Sequence, residues 1–131
     1  MAGHEPEERM ARLSVHRRPG RWCFVSGVDI PDGVPVAATV MEEEGMTTVL
    51  AVEDARRLGL SVTFIAAWLT VDVHSALDAV GLTAAVAGAL AAEGIACNVL
   101  AAYHHDHILV PVAEADRAMA VLNHRGRTHR G

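Results

Sequence analysis

The run from Ser61 to Val73, SVTFIAAWLTVDV, constrains the fold more than any other stretch. Ile65, Ala67, Leu69, Val71 and Val73 keep one face apolar, while the other face passes from Phe64, Ala66 and Trp68 to Thr70 and Asp72. Residues two apart share a face of a strand, so this pattern predicts a long strand covered on both sides at one end and on one side at the other. Such a strand fits a sheet shared by two modules.

From Leu77 the apolar spacing turns helical. Val80, Ala84, Ala87 and Ala91 form a small-residue stripe with Leu90 beside it, and Gly94 takes the position just past the helix end. Hydrophobic residues make up 51% of the 131 and aromatics only 4%, so the core must be Ala, Val and Leu, with helix close to sheet. Ile95 to His104 and His107 to Val112 read as a hairpin turning at His105 and Asp106. Glu114 to Leu122 is a further helix with Ala115, Ala118, Met119 and Leu122 inward, followed by a polar basic tail, NHRGRTHRG.

The first half is read in the same way. Ala11 to Arg17 alternates as a half-buried strand, RRPG (Arg17 to Gly20) is a turn, and Arg21 to Ser26 is a second strand. Gly27 to Pro35 is a loop. Val36 to Met41 and Met46 to Val52 flank EEEG as a hairpin, and Glu53 to Leu58 is a short helix stopped by Gly59. TVLAVEDARRLG set beside LVPVAEADRAMA gives a weak internal repeat, a strand running into a helix in both copies.

The second half is therefore strand, helix, strand, strand, helix, and lacks only a last strand of βαββαβ. The N-terminal strand, Ala11 to Arg17, is expected to fill that place. The first half is a reduced copy in which the Gly27 to Pro35 loop stands for its first helix. The fold class is α+β, with ferredoxin-like βαββαβ modules in tandem and an antiparallel sheet carrying helices on one face.

GLTAAV (Gly81 to Val86), GIACN (Gly94 to Asn98) and HDHILVP (His105 to Pro111) give the chain its resemblance to the ACT domain family, and to small bacterial proteins of two fused ACT-like modules. The resemblance covers about half of the chain strongly and Trp22 to Leu60 more weakly. Residues 1–10, polar and acidic, are read as a flexible N-terminus and 124–131 as a polar tail, with 11–60 as the reduced ACT-like module, its first strand completing the second, and 61–123 as the ACT module. The resemblance implies a regulatory protein without its own catalysis that binds an amino acid at a module interface, as tandem-ACT amino-acid sensors do.

The candidate ligand site is the loop and helix start, His74, Ser75, Val80, Gly81, Leu82 and Thr83, with Asn98 on the following strand. Unpaired N–H groups and the partial positive charge of a helix N-terminus suit a carboxylate. The alternative is that Ser75 and Asp78 form a capping box and Gly81 a tight turn. His104 and His107, as cross-strand partners around a two-residue turn, offer two imidazoles to a metal, and a small metal protein or enzyme centred there is the second reading. The plain alternative is a polar turn tied by Asp106.

Net charge is −5, from 11 Lys and Arg against 16 Asp and Glu, which argues against a general nucleic-acid surface. Cys23 and Cys97 sit in apolar runs and are expected as reduced thiols in the cytoplasm. No cofactor, targeting segment or spanning helix is expected. Both faces of the last hairpin are apolar, which predicts a homodimer or a bound partner.

Overall fold

The computed structural model describes residues 14–72 and 81–130, with side chains to residue 123. Six strands form one antiparallel sheet: β1 (Ser14–Ser26), β2 (Ala38–Glu42), β3 (Gly45–Ala51), β4 (Ala66–Asp72), β5 (Asn98–Ala101) and β6 (Asp106–Pro111). Among the described residues three α-helices accompany them: α1 (Val52–Arg57), α2 (Leu82–Ala92) and α3 (Ala115–Arg130). The strand order is β2-β3-β1-β4-β6-β5.

The centre of the sheet is the β1–β4 pair. Ser14 to Arg18 pair with Asp72 to Trp68, and Trp22 pairs with Ala66. The other end of β1, Trp22 to Ser26, pairs with Ala51 to Thr47 of β3. The early part of β1 therefore stands where the last strand of the second module belongs, as the alternation of residues 11–17 predicts. β4 stands in the equivalent place for the first module, so each half completes the other.

The turn expected at Arg17 to Gly20 is not there. β1 runs on through it with a register shift between Arg18 and Trp22. Pro19 has no N–H to give a ladder, and Gly20 takes φ of 103°, so the local signal of a turn is spent on a bulge. The long strand expected from Ser61 begins only at Ala66, and residues 61–65 lead into it outside the ladder, the Ile65 carbonyl accepting from Val112 N–H at 3.0 Å.

Alternation in β4 sorts the two faces. Ala67, Leu69 and Val71 pack with Ile108, Val110, Leu82, Val86, Ala89, Leu90, Ala118 and Leu122 under α2 and α3. On the same side Cys23 and Leu50 pack with Val52 and Ala55 of α1. A fully buried Leu or Val adds roughly 1.5–3 kcal/mol, and Leu50, Leu69, Leu90 and Leu122 are all at 0% exposure. The helix-free face carries Trp22, Phe24, Val49, Ala66, Trp68, Leu100 and Leu109.

Two helices differ from expectation. α2 buries Leu82, Val86, Ala89 and Leu90 and exposes Ala84 and Ala91, so the larger apolar residues take the core and the alanine stripe does not. Helical backbone of α3 continues to Arg130 through the expected tail. No helix among the described residues is long and apolar enough to cross a membrane.

Candidate functional site

One end of the sheet gathers most of the polar chemistry. β4 ends there at Asp72, α2 starts there, and the β5–β6 turn closes over it, because Val71 pairs with Asp106. Gly81 caps α2 with φ of 93° and ψ of −19°, and among the described residues no side chain caps the first turn. Only glycine adopts that left-handed geometry freely, and it leaves the cap without an oxygen of its own. Thr83 in the first turn donates its hydroxyl hydrogen to Asp106 Oδ2 at 3.4 Å.

On the other side of the same end, Asp72 is flanked by two imidazoles. His16 Nδ1 lies 3.2 Å from Asp72 Oδ2, and His105 Nδ1 lies 3.0 Å from Asp72 Oδ1. All three side chains are about half exposed, so each pair adds at most about 1 kcal/mol. What they give is position, tying β1 and the hairpin turn to the end of β4.

Of the residues singled out in the sequence, the structure brings Gly81, Leu82 and Thr83 together at the start of α2. His74, Ser75 and Val80 lie outside the described residues. Asn98 is elsewhere: it is exposed on β5 opposite Leu109, and its Nδ2 donates to the Leu109 carbonyl at 3.4 Å. β5 follows the C-terminal end of α2, so its first residue stands far from that helix's start.

The histidine turn is also built differently. Ala101 pairs with Asp106, so the connection is Ala102 to His105, closed by Ala102 N–H donating to the His105 carbonyl at 3.1 Å. His104 is exposed within the turn beside Tyr103, with ring centroids 4.9 Å apart, whereas His107 lies inside β6 opposite Leu100. His104 and His107 are thus not cross-strand partners. Among the described residues no group of three or more His, Cys, Asp or Glu converges as metal ligands.

His107 instead belongs to a cluster on the helix-free face. Trp68 Nε1 donates to His107 Nδ1 at 3.1 Å, and Thr70 Oγ1 stands 3.0 Å from the same nitrogen. Burial pushes the His107 pKa below its ordinary 6.5, and the charges of His105 and Arg18 lower it further against the opposing pull of Asp106 and Asp72. Arg18, opposite Trp68 in the ladder, places its guanidinium carbon 4.7 Å from the Trp68 ring centroid and 4.4 Å from that of Trp22. Sequence reasoning missed Arg18, Thr70 and Trp22 because their meeting depends on the register of three strands.

Two clefts border the loop that replaces the first module's helix. One of about 500 Å³ lies between Val34, Pro35, Asp54 and Leu58. The other, of about 390 Å³, lies between Ile30, Val36, Thr39 and Met46.

The fold and this pairing of halves define a tandem of two modules, and two family models described as ACT domain match in succession, over residues 8–67 and 63–124. The chain belongs to the ACT domain family. Among solved structures it is similar to a Vibrio cholerae protein titled as of unknown function and a possible transport protein. That similarity has 36% identity and a TM-score of 0.82, covering 92% of this chain and 94% of that one. It is also similar in fold to an Agrobacterium tumefaciens protein at 17% identity and TM-score 0.60, covering 87% and 89% of the two chains. The ligand-free regulatory subunit of aspartate kinase from Thermus thermophilus shares the fold at 11% identity and TM-score 0.60, over 85% and 95%. Among curated proteins none matches the chain.

Proposed function

We propose that this chain is a regulatory ACT-domain protein that binds an amino acid at the start of α2 and catalyses no reaction itself. The observation that carries the reading is the first turn of α2, without a side-chain cap among the described residues, beside the Asp106 carboxylate. Free N–H groups with a partial positive charge suit an α-carboxylate, and an aspartate next to them suits an α-ammonium. Opposite charges a few ångströms apart are the pattern that an amino-acid zwitterion presents. Gly81, Leu82 and Thr83 take part, the loop residues His74, Ser75 and Val80 complete the site, and Asn98 supports the hairpin.

Binding at the seam between modules favours one arrangement of the halves, or of two subunits, and that preference is the signal. A homodimer is part of the reading, supported by Val36, Val40, Met41 and Met46, which are exposed around the β2–β3 edge. For catalysis, the thiols of Cys23 and Cys97 are poorly suited, because burial raises both pKa values.

A thermal-shift and calorimetric series against the common amino acids tests this. Ligand at a hundred times its Kd stabilises the folded state by about 2.7 kcal/mol, which a melting curve resolves. The expected result is stabilisation by one amino acid or a related few, weakened at least about tenfold in Asp106→Asn and Thr83→Ala. Uniform absence of stabilisation at millimolar ligand overturns the reading.

A further inference from the structure

We propose that the helix-free face holds a second binding site, built on Arg18 with Trp68 and His107, for an organic carboxylate carrying an apolar body. This site lies on the face opposite α2 and does not depend on the amino-acid reading above.

Three hydrogen-bond donors lie on this face without an acceptor among the described residues. The first is the Arg18 guanidinium. Arg21, Arg57 and Arg117 each pair with a carboxylate, Glu53, Asp54 and Glu114 respectively. For Arg18, as for Arg17 and Arg56, no such pairing is found among the described residues, and Arg18 is set apart by what it packs on. It packs on two indoles, Trp22 and Trp68, whose ring centroids are 5.4 Å apart. Aromatic packing fixes the guanidinium while leaving N–H groups at its edge for an anion, and its planar fork suits a carboxylate.

His107 is the second donor. The Trp68 N–H can only donate, so His107 Nδ1 must accept and the neutral ring carries its proton on Nε2. That N–H has no acceptor among the described residues. The third is Trp22 Nε1, buried and without a partner among the described residues. Among the described residues, the carboxylate that this face carries at this end, Asp72, already lies against His16 and His105.

Ladder pairing sets the donors side by side. Arg18 stands opposite Trp68, and Thr70, two residues along β4, stands opposite His107, which in turn faces Leu100 on β5. A carboxylate between Arg18 and the His107 Nε2–H leaves its apolar body over the edge of Trp68 and half-buried Leu100. Buried Leu109 lies beneath.

The two tryptophans of the chain are both in the site, so intrinsic fluorescence reports on it directly. Hexanoate is titrated into the full chain, with hexan-1-ol and inorganic phosphate as separate arms. The expected result is a saturable fluorescence change with hexanoate, little with hexanol and a weaker response to phosphate. Arg18→Gln should weaken hexanoate at least about tenfold, while Thr83→Ala leaves it unchanged. Circular dichroism checks the fold of each variant, and Arg18→Lys, which keeps the charge and loses the fork, replaces the glutamine variant if that fails to fold. The proposal is overturned by a wild-type chain that does not respond to hexanoate, by a hexanol or phosphate response equal to it, or by a folded Arg18 variant that binds hexanoate as before.

Discussion

Trp68 on β4 donates its indole hydrogen to Nδ1 of His107 on β6, 3.1 Å away, and so holds that histidine neutral. Protonating His107 would put a hydrogen where the indole already points one. The lowered pKa has the same sense as the geometry.

A pH dependence follows from that pair. In the unfolded chain His107 takes up a proton near its ordinary 6.5, while in the folded chain it does so only at lower pH. The unfolded state therefore binds more protons in the window below 6.5, and stability falls as pH drops through it. His107→Asn, which keeps an acceptor and does not titrate, should flatten this part of the profile in denaturant melts at a series of pH values. An unchanged slope in that variant would remove His107 as its source.

Gly45 begins β3 with φ of 138°, and a Cβ there would stand 3.0 Å from the Cα of Gly27. The Gly27 N–H donates to the Met46 carbonyl at 3.0 Å, so the loop leaving β1 closes against this point. Gly45→Ala should cost about 1–3 kcal/mol in chemical denaturation, through strain and the contact together.

Leu90 on α2 is fully buried against the sheet core. Leu90→Ala should cost about 2–5 kcal/mol by loss of burial and the cavity left behind. Exposed Ala91→Ser, one residue along, should move the melting midpoint little, and equal losses from both would contradict the observed face of the helix.

Cys23 is buried and Cys97 half-buried, and burial raises the pKa of each. Both thiols should react with a disulfide reagent at mildly alkaline pH more slowly than a free thiol does. Both should react fully once the chain is unfolded, and a thiol count rising in two steps, Cys97 before Cys23, is the expected trace.

Much of the fold was legible because β4 writes its two faces plainly: Ala67, Leu69 and Val71 toward the helices, Trp68 and Thr70 on the helix-free face. The same holds for the short helix stopped by Gly59, whose φ is 75°. Elsewhere one local signal served two geometries. Pro19 and Gly20 punctuate a bulge as readily as a turn, and only the pairing of β1 with two different neighbours decides between them. Alanine all round α2 gave no contrast from which to choose its buried side. In the tail the apolar spacing stops after Leu122, so nothing in the pattern asks for more helix.

The site was less legible for a related reason. Gly81 to Thr83 could be marked from the chain itself, since a glycine before a helical run is a local feature. The neighbours that give those residues a chemistry, Asp106 and beyond it Asp72, arrive through strand register. Arg18 and His107 are separated by most of the chain and meet only because β1, β4 and β6 lie side by side.

The exchange of strands at the sheet's centre also orders events during synthesis. When the first half leaves the ribosome, the edge of β1 from Ser14 to Arg18 has no neighbour, and it stays so until Ala66 to Asp72 have been made. An exposed edge of that kind invites pairing with another nascent chain. The bulge at Pro19 and Gly20 interrupts that edge, and the charged pair Arg17 and Arg18 beside it repels a like strand, so the same residues that misled a reading of the turn guard the chain while it waits for its second half.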